Sequence, residues 1–535
     1  MRAIAVLFLL SSACGATTAH ATDHDELDAT LLAPYRGAPA SGARTFRIVL
    51  DHPGLPAPLT VEWRLDLATS DGAVVQSWRG AQLLEGPPVT IEVVWDGTLA
   101  RSRTPAQPGS YRATLVAGAI EQSWEIAVGP PAAMQPLSPL SPLSMAPAQA
   151  SPYKIVLGNL HSQTGHSDGG GDLATCHGAQ EPQSSPLGPA QAFDYADRHG
   201  LDFLAASEHN HMYDGSTATN AGADARRARA LYQAGLAAAD KYNRDHPGFV
   251  GIYATEWGVI DNGGHLNILN AAALAGWEKN GQGDLLADID TPKNDYAALY
   301  TTMRQRGWIG QFNHPAASGQ FVVDGTPLAY TADGDAAMVL CEVVNTNAFS
   351  TSETESETRR SVYEGACNRA LEAGYHVAFS SDQDNHCANW GMSSTNRTGV
   401  LLHAGETFSQ ASLFDALRAR RVFATMDKTA SLLFTANGRI MGERFVNRGP
   451  LHLLAQYSTS AGKRVAKVAI IEGVPGRNGA VSELSASFDT TVTPAVGEHF
   501  YYAKVTQEDG NIVWSAPVWV SQAAPVKRLT FAPVP

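Results

Sequence analysis

The sequence predicts a multidomain protein in which a central α/β region, a parallel barrel or open sheet, is flanked by two β-sandwiches. Three observations predict it. The chain has 535 residues, 44% of them hydrophobic, too long for one ordinary domain and apolar enough for several cores. Runs of alternating apolar and polar residues, separated by Pro/Gly turns, crowd both ends of the chain. Between about 151 and 427, apolar runs alternate instead with Ala-rich helical stretches. Charged residues make up 17%, too few for a disordered or coiled-coil chain. A net charge of −14 lacks the footprint of a nucleic-acid binder or of a protein docked on anionic lipid.

Taken in order, Arg2 precedes the apolar run 3–10 and then small residues ending in Ala19-His20-Ala21. This is the pattern of a secretory signal over 1–21. The run is too short for a membrane span, which needs roughly 18–20 residues, and no later segment reads as one. Cys14 raises the alternative of lipidation, but Ser11 stands where such a signal would carry Leu. Residues 22–131 read as strands, among them 46–50, 59–63 and 89–95. The stretch from Trp95-Asp96-Gly97 to Pro108-Gly109-Ser110-Tyr111-Arg112-Ala113-Thr114-Leu115-Val116 resembles the last strands of the immunoglobulin-like domain of flagellar hook-capping proteins, which implies a β-sandwich. Residues 132–150 form a Pro/Ser-rich linker, a semi-rigid spacer that would let the first sandwich move. In the central region, 151–427, helices are predicted over 190–199, 223–242, 295–306, 355–373 and 411–421. Gly200, Gly307 and Gly374 mark three of their ends. Short strands return over 428–535, predicting the second sandwich.

The informative residues lie at strand ends. Predicted strands 153–157, 201–206, 249–254, 308–312, 338–340 and 377–380 lead into His161, Glu208-His209, Glu256, Asn313-His314, Cys341-Glu342 and Asp382-Gln383-Asp384-Asn385-His386. In α/β barrels the active site is assembled on that face from several strands. His and carboxylates without a C-x-x-C pair suit a catalytic divalent-metal centre better than a structural zinc knot. Taken singly, each is an ordinary hydrogen-bonded strand end or solvated loop; their convergence carries the reading.

These residues resemble the PHP (polymerase and histidinol phosphatase) superfamily, a distorted (β/α)7 barrel with metals at the strand C-termini. The family's opening His-x-His-Thr-x-x-Ser-Asp-Gly motif is matched by His161, Thr164, Ser167, Asp168 and Gly169, with Gln163 in place of the second His. Glu208-His209, Glu256, His265, His314 and Asp384-Asn385-His386 follow in the family's order. Asn389-Trp390-Gly391, Asn396-Arg397-Thr398-Gly399 and Trp514-Ser515-Ala516-Pro517 resemble the carbaryl-hydrolase-like (CehA/McbA) branch in particular.

The resemblance implies an exported hydrolase, periplasmic or secreted, that uses a metal-activated water on a small ester or phosphoester. Its metal ligands would be His161, Asp168, His209, Glu256, His265, His314, Asp384 and His386. Glu208 or His314 would handle protons, and Arg397 would hold an anionic substrate oxygen unless it forms a structural salt bridge. A phosphoesterase leads. A carboxylester or carbamate hydrolase on the same centre is the alternative, and an inactive surface binding or scaffold protein is the third reading. Because a carboxamide is a weaker metal donor than imidazole, Gln163 implies one or two divalent ions (Zn, Mn or Fe) per chain rather than three, unless His166 substitutes. Cys176 follows the first motif and Cys387 follows His386, so a Cys176–Cys387 disulfide is expected, with four unpaired thiols the alternative.

Overall fold

The computed structural model describes residues 27–39, 41–52, 57–129, 152–259, 263–315, 319–477 and 479–524. The predicted signal at 1–21 and the linker at 132–150 lie outside the described residues. The chain is multidomain and mostly β-sheet.

Near the N-terminus, strands Asp28–Leu32, Arg44–Asp51 and Val89–Trp95 form one antiparallel sheet. Strands Leu59–Thr69, Val74–Leu84, Gly109–Ala117 and Ile120–Val128 form the other. Alternation sets the inner faces: Tyr111, Ala113, Leu115 and Ala117 point inward two residues apart and meet Phe46, Ile48 and Trp95.

The central sheet begins with three parallel strands, Tyr153–Asn159, Phe203–His209 and Val250–Trp257. Leu266–Ile268 then runs antiparallel between Val250–Trp257 and Gly310–Phe312. Met338–Thr346 and Ala378–Ser381 continue parallel to Gly310–Phe312. On the other side, Arg397–His403 lies antiparallel to Tyr153–Asn159, and Val422–Thr425 antiparallel to it. The expected all-parallel order is therefore corrected to a mixed sheet. Gly258, Gly263 and Gly264, which flank the reversal, hold positive φ, a conformation open to glycine. That reversal puts His265, at the start of its antiparallel strand, on the same rim as the C-terminal ends of the parallel strands. The sheet also curls. Ser381 N–H donates to Thr398 Oγ1 and Ser381 Oγ to the Thr425 carbonyl, both at 2.9 Å, bringing its two sides together.

Helices Pro189–Arg198, Ala225–Asp245, Tyr296–Arg306, Glu364–Ala373 and Gln410–Arg418 occupy the predicted stretches. The fourth starts only at Glu364, because Arg360–Val362 is taken as a strand against Met338–Thr346. The short helix Ala332–Ala337, capped by Thr331, was not foreseen.

Sheet hydrogen bonds cross the predicted boundary near 427. Val422–Thr425 pairs with Ile512–Ser515, so the central sheet runs on into Gly497–Gln507 and Val465–Gly473. The first sandwich is docked, not free as the linker composition suggests. Gln122 Nε2 donates to Ser361 Oγ at 2.7 Å, and Lys467 Nζ reaches Glu125 at 2.9 Å and Glu483 at 2.8 Å. Two disulfides, Cys176–Cys387 and Cys341–Cys367, are compatible with export. Among the described residues, no helix is long and apolar enough to cross a membrane.

Candidate metal centre

The loop after strand Tyr153–Asn159 is shaped by buried polar side chains. Asn159 Nδ2 donates to the His161 carbonyl, and Asp382 accepts from Leu160 N–H at 2.7 Å. Glu208 pulls the loop back, accepting from Thr164 N–H (3.0 Å), Thr164 Oγ1 (2.6 Å) and Ser167 Oγ (2.5 Å). Gly169 is required there: a Cβ would lie 2.4 Å from the Gln163 carbonyl. The loop following Ala378–Ser381 zips onto this one through Gln163 N–H to the Asn385 carbonyl (2.9 Å) and Gly171 N–H to the His386 carbonyl (3.0 Å). The Cys176–Cys387 bond fastens the same two segments.

Glu256, at the end of strand Val250–Trp257, is the hub. One of its oxygens lies 3.0 Å from His161 Nε2 and 3.7 Å from His209 Nε2; the other lies 3.1 Å from His265 Nδ1 and 3.3 Å from His314 Nε2. Asp384 Oδ1 stands 3.0 Å from His161 Nε2. Asp168 lies 3.8 Å from His209 and 3.5 Å from His386. These contacts define three triads whose donor atoms lie within 4.8 Å of one another: His161/His314/Asp384, Asp168/His209/His386 and His209/Glu256/His265. Such buried groups could hold a metal ion. Because the last two triads share His209, only two can be filled without sharing a ligand. Asp384 (φ 50°) and His314 (φ 25°) both hold a positive φ, which costs a non-glycine residue about 1–3 kcal/mol and clusters at functional sites.

The charge balance asks for cations. Asp168, Glu256, Glu342, Asp382 and Asp384 are buried together, and none of the described residues lining the adjoining cavity of ≈ 150 Å³ is Lys or Arg. Without a metal, the imidazoles supply the positive charge. Burial pushes His386 down, but Asp168 and Asp384 outweigh it and carry it up to about 10. His314 is likewise lifted against burial by Glu256, to about 9, and His161 well above its usual value by Asp384, Glu256 and Glu342. Burial raises the Glu256 carboxyl, yet His161, His265 and His209 hold it well below the usual range.

An imidazole must lose its proton to bind a metal, so loading should release protons. Apparent metal affinity is expected to fall as pH drops from 9 to 6, about tenfold per unit for each proton displaced. Calorimetry in buffers of different ionisation enthalpy measures this, and a pH-independent affinity would contradict it.

The structure brings His161, Asp168, His209, Glu256, His265, His314, Asp384 and His386 together. It does not bring Arg397: its guanidinium donates to the Ser394 and Asn396 carbonyls and, at 2.5 Å, to Glu355, which also binds Lys428. The anion-holding role is thereby corrected to a structural ion pair. Glu208 is fully buried on Thr164 and Ser167 and does not line the cavity, although burial lifts its carboxyl to about 7. Its hydrogen bonds hold the first loop. His166 bonds Tyr253 at 2.8 Å and joins no triad. Gln163 Nε2 donates to Glu256 at 2.6 Å, steadying the hub as an amide donor.

Sequence reasoning left three supporting residues unassigned. Glu342 lies 3.3 Å from His161 Nδ1 and accepts from His314 N–H at 2.6 Å. Asn313 donates to Glu256 at 2.8 Å, and Asp382 anchors Leu160. All three sit at the strand ends that flagged the ligands. His177, His199 and His403 are exposed and outside the cluster. Their Ala variants should keep wild-type metal content and stay within about 0.5 kcal/mol of wild-type stability; metal loss in any of them would redraw the site.

No family model and no curated protein matches the chain. Among solved structures, the fibronectin(III)-like modules of Clostridium thermocellum CbhA are 21% identical over 17% of this chain and 93% of theirs, with a TM-score of 0.13. A Bacteroides uniformis β-glucuronidase is 10% identical over 93% of this chain, which spans 61% of that enzyme, with a TM-score of 0.15. A putative β-galactosidase from Bacteroides fragilis is 12% identical over 94% of this chain and 74% of its own, with a TM-score of 0.14. Similarity at that level carries no argument about fold or activity.

Proposed function

We propose that the protein is an exported, divalent-metal-dependent hydrolase of small ester bonds, most suited to phosphoesters, on the distorted barrel of the PHP superfamily that its sequence resembles. One observation carries the reading. Eight His and carboxylate residues, separated by more than 200 positions, meet in one buried cluster beside a cavity. The curl of the mixed sheet through Ser381 supports the barrel, and the two disulfides support export.

His161, Asp168, His209, Glu256, His265, His314, Asp384 and His386 would hold one or two ions. Bound there, divalent ions supply Lewis-acid polarisation of the ester and a water of lowered pKa. Glu256 fixes the imidazoles around it, and Asn313 and Gln163 fix Glu256. Glu342 orients the His161 ring through Nδ1. His314 is the most exposed imidazole of the cluster, at 11%, and would pass a proton to the leaving oxygen where no ion engages it.

A second reading, carboxylester or carbamate hydrolysis, is favoured by the lack of Lys or Arg among the described cavity-lining residues and by the engagement of Arg397 with Glu355. Purified protein supplied with Mn, Zn or Fe should be assayed on nitrophenyl phosphate, bis-nitrophenyl phosphate, nitrophenyl acetate and an aryl carbamate. Turnover of the phosphates is expected. Turnover of acetate or carbamate alone would favour the second reading, and bound metal without any turnover would favour a binding protein.

A further inference from the structure

We propose that the substrate is an ester with an elongated, uncharged leaving group: its reacting end enters the chamber at the metal cluster, and its tail lies in the groove outside. This rests on the hydrolase reading above and adds to it the class of substrate. The chamber beside Glu256, His314 and Asp384 holds only ≈ 150 Å³. A cavity of about that volume in another protein is taken up by one benzene molecule, so the chamber accepts the ester group and little else. A groove of ≈ 1200 Å³ lies against it. Asp51, Ala179, Asn347 and Phe349 line both spaces, so the two meet across this one set of side chains.

Phe349 ties the groove to the cluster. It is half-buried, and its ring centroid lies 5.0 Å from that of His386. Cys176, which also lines the groove, is bonded to Cys387, the neighbour of His386. The rest of the lining comes from two domains. Pro87 and Pro88 belong to the turn between strands Val74–Leu84 and Val89–Trp95 of the N-terminal sandwich, whereas Ser350, Thr351 and Ser352 follow strand Met338–Thr346. Such a surface suits an uncharged tail. Among the described residues lining it, Arg359 is the one Lys or Arg, and it is held by Glu357 at 3.6 Å. Burial raises the Asp51 carboxyl against the pull of the same Arg359. The charges of the groove are met within its own walls, which leaves proline, phenyl and hydroxyl surface for the tail.

The test uses the full chain loaded with Mn and two matched series. Ethyl, butyl and octyl phosphate serve as substrates, and the corresponding phosphonates, which cannot be hydrolysed, serve as ligands. The alcohols of such a series leave with nearly equal basicity, so length alone varies. Octylphosphonate should bind at least about tenfold more tightly than ethylphosphonate, the gain that about two fully buried methylenes supply. The kcat/KM of the phosphates should rise in step. A chain of octyl length ending in a carboxylate should lose that gain, because Arg359 already has its partner. Phe349→Ala should cut the octyl-to-ethyl affinity ratio to about twofold. So should Thr351→Asp, an exposed position that lines the groove and not the chamber, which keeps the test open if Phe349→Ala fails to load metal. A length-dependent affinity without any turnover overturns the hydrolase reading alone. An affinity that does not grow with length, a gain that survives both substitutions, or a carboxylate-ended chain that keeps the gain overturns the proposed class of substrate.

Discussion

Replacing Glu256 by Ala is expected to abolish turnover, lowering kcat by at least about a thousandfold, and to empty the site of metal. The size of the effect comes from position. This carboxylate touches His161, His209, His265 and His314, and receives hydrogen bonds from Gln163 and Asn313. Its loss leaves charged imidazoles and two amide donors buried without their acceptor. Removing one partner of such a buried network costs about 3–5 kcal/mol, so the metal-free variant should also melt earlier. Elemental analysis, thermal unfolding and the ester panel measure the three effects on one preparation. A variant with full metal and full rate would remove Glu256 from the centre.

The second large effect concerns the Cys176–Cys387 bond. It closes a sequence separation of 211 residues and joins the loop carrying Asp168 to the one carrying Asp384 and His386. Cys176→Ser/Cys387→Ser should lower stability by about 2–5 kcal/mol and weaken metal binding about 10–100-fold, because both segments lose their shared anchor. The Cys341–Cys367 bond closes a separation of only 26 residues. In the chain-entropy picture its removal costs roughly 2 kcal/mol less. Denaturant unfolding and metal titration of the two double variants compare them. Equal metal affinity in wild type and the Cys176/Cys387 variant would show that the bond serves folding alone.

The His and carboxylate cluster was legible because strand ends are. Apolar runs that stop at His161, His209, Glu256, His314 and Asp384 mark where a buried strand meets the rim, whatever its neighbours. Strand direction was not legible, since a buried run such as Leu266–Ile268 reads the same parallel or antiparallel. The partners of Arg397 and Glu208 were not legible. They lie 42 residues away at Glu355 and 41 to 44 away at Ser167 and Thr164, beyond what a local motif shows. The docking of the first sandwich rests on contacts such as Gln122 to Ser361, 239 residues apart. A Pro/Ser linker carries no trace of them.

In the proposed reading this cluster binds metal, and the bound metal makes the protein a hydrolase. Stripping the purified protein with a chelator and titrating Mn or Zn back, while following bound metal and ester turnover on the same samples, tests both halves together. No turnover is expected in the stripped protein, and full turnover at two equivalents or fewer, the number of triads that can be filled without sharing His209. Turnover that survives complete removal of metal, or that requires a third equivalent, would contradict it.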